Sequence, residues 1–280
     1  MSSSTCSIRY RRRLRPAAGF TLVELLVVIG IIALLISILL PALNKAREQG
    51  QKTACLSNLR SFGQLLSIYA SENKGRAPIG YAGTKHAGYM VNQAGTYEVL
   101  GCLSESGLLR GSPNAFYCPS KEDPRWKFNT PENPWPPPAA ANQLCRLGMT
   151  VRPAVQFKGR VPQTSTWDQA NNRGKFPQIS LFRDKAIAAE MFGEPVNAAY
   201  AVDPTLTPHK RYINVLYADN SAMGVETTGI DGADNESIAT LLKKLAIMAT
   251  VPTGQAMNDI YLDELVTPNK GIWHKFDAAR

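Results

Sequence analysis

Gly19-Phe20 and, four residues further on, Glu24 are the positions whose types and spacing point most directly to chemistry. A cut after the small residue Gly19 would free an α-amine at Phe20. That amine is the natural partner of the Glu24 carboxylate, because residues four apart share one helix face, and neighbouring copies in a packed helix bundle offer the same geometry. Glu24 is also the only charged side chain from Phe20 to Leu43. An acidic group near the end of such a run costs up to ~3 kcal/mol on membrane-insertion scales, so it is expected to be paired or functional.

A second candidate is His209 with, ten residues on, Asp219 and then Asn220. As a catalytic or metal pair, His209 and Asp219 lack a third ligand or nucleophile spaced with them in sequence. The reading adopted is turn chemistry: Asp219-Asn220, like Asp-Gly, can fill the positive-φ positions of a tight hairpin between strands Tyr212–Tyr217 and Ser221–Glu226. The cysteines are a third candidate. Cys6 precedes the cut, which leaves Cys55, Cys102, Cys118 and Cys145 in a compartment expected to be oxidising. Cys102 with Cys118, which bracket a short turn, is the preferred disulfide, with buried free thiols as the alternative. No metal is expected, since there is no C-x2-C pair and no cysteine near a histidine at ligand spacing. The acidic loop Asp231-Gly232-Ala233-Asp234-Asn235-Glu236 is a weak calcium candidate that reads mainly as the cap of a helix over Asn235–Ala249. No other cofactor is expected. The chain has no G-x-S-x-G elbow, phosphate loop, H-E-x-x-H helix or nucleotide turn, and His86, His209 and His274 are not grouped, so a structural role is expected rather than an enzyme.

The element that must position Phe20 and Glu24 is a membrane helix. At about 1.5 Å rise per residue, residues 20–43 span the ~30 Å hydrocarbon core of a bilayer. Arg9, Arg11, Arg12, Arg13 and Arg15 precede it without an acidic residue, which keeps that end cytoplasmic and places the rest outside. A secretory signal peptide has a shorter apolar core followed by small residues at its cleavage site, whereas here the small residue comes first. Removing those five arginines from a formal net charge of +9 leaves about +4, so the basic balance is mostly a topology signal, and nucleic-acid binding is not expected.

Gly19-Phe20-Thr21-Leu22-Val23-Glu24 with the apolar run after it resembles the class III signal of type IV pilins and type II secretion pseudopilins. The resemblance implies that a prepilin peptidase cuts after Gly19 and methylates the amine of Phe20, and that Glu24 aligns the subunit with its neighbour during assembly. Pro41 falls where many pilins carry a proline in the same helix. Ala46 to Gly63, Phe116-Tyr117-Cys118-Pro119-Ser120 and the His209/Asp219 spacing resemble the pseudopilin-like families with an H-x9-D-G element, in which Asn220 stands here in place of the glycine.

Beyond Leu43 the helix is expected to continue over 44–75. Cys55, Leu59, Phe62, Leu66 and Tyr69 form one apolar stripe that should pack on a sheet, with Pro41 and Gly50 as kinks or weak points and Asn73-Lys74-Gly75 as the end. Further expectations are a short helix within Tyr97–Ser106 closed by Gly107, strands over Leu144–Val151, Ala186–Met191 and Gly271–Phe276, and a Pro/Trp-rich loop over 124–138 that either offers a contact surface or folds back on the domain.

The fold expected is therefore α+β and pilin-like: a cleaved basic leader over 1–19, a transmembrane and assembly helix over 20–43, its amphipathic continuation over 44–75, and an extracytoplasmic domain over 76–280 built on a mostly antiparallel sheet with an irregular insertion. The expected function is a structural subunit of a type II secretion pseudopilus or type IV pilus-like filament, anchored by a single pass in the inner membrane with its N-terminus cytoplasmic. Its partners would be the prepilin peptidase, other pilin or pseudopilin subunits, the inner-membrane assembly machinery and the membrane itself. The alternative is a membrane-anchored extracytoplasmic binding module that is processed but never polymerises. The two differ in the second half of the helix, where a filament subunit would expose the apolar stripe and a solitary module would bury it.

Overall fold

The computed structural model describes residues 21–79, 88, 90–93, 96–97, 99–121, 123–137, 144–152, 176–190, 209, 212–228 and 272–280. The chain divides into two compact units, Met1–Arg47 and Glu48–Arg280. Helix α1 (Leu22–Glu72) is assigned without a break through Pro41 and Gly50. At Pro41, which has no amide hydrogen, the helix forgoes one backbone bond.

In the first unit the helix starts on a reciprocal cap. Thr21 Oγ1 accepts from Glu24 N at 3.2 Å, while the Glu24 carboxylate accepts from Thr21 N at 2.9 Å and Thr21 Oγ1 at 2.8 Å. The spacing is that of a capping box, which satisfies amide donors with no intrahelical partner. The apolar side chains that follow are exposed, from Leu22 at 78% to Leu43 at 65%.

In the second unit the same helix is amphipathic. Cys55, Leu59, Phe62, Leu66 and Tyr69 are buried, as their spacing predicts, and Leu59, Phe62 and Leu66 are fully so. Leu59, Phe62, Leu66 and Tyr69 pack into one core with Phe116, Leu216 and Ala188, and the Phe62 and Phe116 rings meet edge to face at 5.9 Å. Helix α1 ends at Glu72, and Lys74 (φ 57°) and Gly75 (φ 77°) turn the chain away.

Two antiparallel sheets complete this unit. Strands β1 (Met90–Gln93), β2 (Thr96–Tyr97) and β3 (Leu144–Arg146) form one in the order β2-β1-β3. Strands β4 (Met149–Val151), β5 (Ala186–Glu190), β6 (Tyr212–Tyr217) and β7 (Ala222–Glu226) form the other, in the order β4-β5-β6-β7. Helix α1 lies against the β6–β7 hairpin: Arg60 donates to the Ala222 carbonyl at 3.1 Å, and Lys52 Nζ sits 3.6 Å over the Tyr212 ring. Contact is closest at Gly63, where a Cβ would fall 2.5 Å from Asn220 Oδ1.

Three expectations change. The single strand over Leu144–Val151 is two strands in different sheets, because Leu147-Gly148 intervenes and Gly148 N donates to Phe116 O at 3.0 Å. The strand over Gly271–Phe276 is instead helix α3 (Ile272–Ala278). Its Trp273 and Phe276, three apart, are buried together, and Asp277 accepts from Arg152 Nη1 at 2.7 Å and Ala186 N at 2.8 Å, contacts that suit helical rather than alternating spacing. The helix within Tyr97–Ser106 shortens to α2 (Gly101–Glu105), although Gly107 does close it with φ 80°. In the Pro/Trp-rich loop Trp126 is buried and Trp135 packs on the core, so the loop folds back. The helix expected over Asn235–Ala249 and the calcium candidate at 231–236 lie outside the described residues.

Candidate functional site: an exposed apolar helix and a buried cluster

Gly19 and Phe20 lie outside the described residues. Glu24 sits in the first turn of α1, and within one chain its carboxylate is engaged by Thr21. Pro41 lies within α1. By length and composition this helix can cross a membrane.

Asp219 and Asn220 lie in the turn between β6 and β7, but only Asn220 takes the positive φ expected of the pair. Asn220 adopts φ 65° and its N donates to Tyr217 O at 3.0 Å; Asp219 accepts from Ser221 N at 3.0 Å and pairs with Arg280. The left-handed conformation explains why asparagine can stand where glycine is usual: its short polar side chain tolerates positive φ. Asn220 Nδ2 also reaches back to Ser67 Oγ on α1 at 3.3 Å.

His209 takes no part in that turn. It is buried at 2% exposure, bridged to Tyr212 by backbone pairing, and it gathers groups that sequence spacing kept apart. Its Nε2 lies 3.3 Å from Glu190 Oε2, at the end of β5, and 3.7 Å from Cys118 Sγ. Cys118 Sγ lies 2.6 Å from Cys55 Sγ, on α1. The preferred Cys102–Cys118 disulfide is therefore corrected: the turn directs Cys118 onto the helix, and Cys102 Sγ instead donates to Val99 O at 3.1 Å. The donor atoms of Cys55, Cys118, Glu190 and His209 all lie within 4.8 Å of one another, although no cysteine stands near a histidine in sequence, so the fold supplies a candidate ligand group where the sequence showed none.

The cluster is ordered from behind. Glu190 Oε1 accepts from Asn214 N at 2.6 Å. His209 Nδ1 is 3.4 Å from Ser120 Oγ, which in turn donates to Gln51 Oε1 at 3.3 Å. Burial pushes the Glu190 carboxyl up. Burial opposes a charge on His209, yet Cys118 and Glu190 beside it raise its pKa to about 9. Between the thiols, Cys55 is raised by its bond to Cys118 and by burial, whereas Cys118 is lowered to about 4 by the hydrogen bond from Cys55, with His209 assisting against burial. Only Cys55 was foreshadowed as buried by periodicity; Glu190 had no sequence signal beyond its place at the end of an apolar strand.

Residues 14–40 match the family described as the prokaryotic N-terminal methylation motif. Over 60 residues the chain is 40% identical to the major component of the type IV wide pilus of Thermus thermophilus, a match that takes in 21% of this chain. It spans about half of that relative's length, 46%. No solved structure matches the chain. Over its N-terminal part the chain is thus similar to type IV pilins and carries the N-terminal methylation motif.

Proposed function

We propose that this protein is a structural subunit of a type IV pilus-like or pseudopilus filament, released for assembly by cleavage after Gly19 and methylation of Phe20. The observation that carries the reading is the exposed apolar run Leu22–Leu43, charged only at Glu24, which overlaps the methylation motif. Such a surface is stable only in lipid or against other apolar helices. The subunit first waits as a single-pass inner-membrane protein. In the filament, copies of this helix replace lipid around one another, and Glu24 leaves Thr21 to meet the amine of Phe20 on a neighbour. The partners are the prepilin peptidase, sister subunits and the membrane-embedded assembly machinery. A type II secretion pseudopilus is the narrower form of the same reading.

One observation favours the second reading, a processed module that never polymerises: the stripe from Cys55 to Tyr69 is buried within its own domain. Assembly must then rest on residues 22–43, with exposed side chains such as Ile68 adding to it. Intact-mass and N-terminal analysis of the protein from its own membranes tests the route. A methylated Phe20 terminus is expected, and a chain retaining Arg9 to Gly19 overturns it. Cross-linking from residues 22–43 between copies then separates the filament subunit from the solitary module.

A further inference from the structure

Cys55, Cys118, Glu190 and His209 come from four separate parts of the chain, and nothing in filament assembly uses them. They are nonetheless buried together, at 2%, 5%, 1% and 2% exposure. Burying a carboxylate beside two sulfurs is costly unless a cation meets it, and here that is either His209 in its charged form, 3.3 Å away, or a metal ion bound by all four side chains. We propose that these four side chains form a closed S2NO site for a zinc-class divalent cation, tying α1 and the Cys118 turn to the end of β5 and the approach to β6.

The donor set is the first support. Thiolate and imidazole suit zinc among the common divalent ions, and a carboxylate completes four ligands. The surrounding bonds are the second. Because Ser120 Oγ donates to Gln51, it is left to accept from His209 Nδ1, so that once Nε2 gives up its proton to a metal its lone pair faces Cys118 and Glu190. Glu190 Oε1 is occupied by Asn214 N, which leaves Oε2 facing inward. Outer bonds of this kind orient ligands in metal sites. The Nε2–Oε2 and Nε2–Sγ separations of 3.3 and 3.7 Å match the edges of a zinc tetrahedron, roughly 3.3 to 3.8 Å for bonds of ~2.0 to 2.3 Å. The sulfurs, 2.6 Å apart, are too close: loading must part them by about 1 Å through rotation of one cysteine side chain, while all the donors already lie within 4.8 Å of one another. Binding would release to solvent the protons still held by the thiols and by His209 Nε2 and form two metal–sulfur bonds, with no change of oxidation state. Four buried protein ligands leave no position for water, so the site would be structural.

The test uses the full chain in detergent, purified without chelator. Elemental analysis is expected to find one zinc per chain, and cobalt exchanged into the site should give sulfur-to-metal charge transfer and tetrahedral ligand-field bands. Cys55 and Cys118 should alkylate only after metal is stripped. Ser120→Ala, which keeps all four donors, should weaken zinc binding by about 10- to 100-fold, and Asp219→Ala, outside the cluster, should not. A metal-free chain with Cys55 disulfide-bonded to Cys118 overturns the proposal. So does a chain with both thiols free that fails to retain added zinc or cobalt. None of these outcomes depends on whether the protein polymerises.

Discussion

Two stretches of one helix treat the same side chains in opposite ways. Over 22–43 leucine, isoleucine and valine are on every side and all stay exposed, whereas over 55–69 the apolar residues recur every three or four positions and are buried. A helix that is apolar all round has no face to offer a single sheet and needs a surrounding apolar phase; a striped one is completed by its own domain. The first stretch is thus built for association with something outside the chain, and the second for folding.

Five substitutions test that division. The largest effect is expected from Glu24→Ala, which should leave cleavage and the melting temperature unchanged yet largely abolish filament incorporation, scored in sheared filament fractions; normal incorporation would sink the pairing with Phe20. Phe62→Ala should destabilise the folded domain by about 3–5 kcal/mol in denaturant titrations of the detergent-solubilised chain, while Leu34→Ala, in the exposed stretch, should change it by less than about 0.5 kcal/mol. Equal effects would erase the contrast. Gly63→Val places side-chain atoms where the helix meets Leu216 and Asn220, and a loss of about 1–3 kcal/mol is expected from the same titration. A small effect is expected at Asp219→Ala, at a half-exposed pair with Arg280: at most about 1 kcal/mol by thermal melting. A larger loss would mean that the hairpin turn contributes more to helix docking than its exposure suggests.

The helix, its buried stripe and the β6–β7 hairpin were legible because each rests on local periodicity or turn chemistry. Asn220 is an instance: Asp-Asn between two apolar runs announces a positive-φ turn, and φ 65° follows. The end of the chain was not legible, since Trp273 and Phe276 suit a strand or a helix until Arg152 and Ala186 engage Asp277. The cysteines misled for a related reason. Proximity in sequence favoured Cys102 for Cys118, but a side chain 63 residues away on α1 is the one that reaches it.

By itself, the sequence determined the anchor: a run with one charge, a basic flank and a small residue before it define membrane insertion through composition, which needs no tertiary contact. Only the tertiary structure decided that Cys55, Cys118, Glu190 and His209 meet. Their convergence depends on how a helix, a turn and two strand ends pack, and no local pattern of charge or periodicity encodes a distance between segments so far apart along the chain.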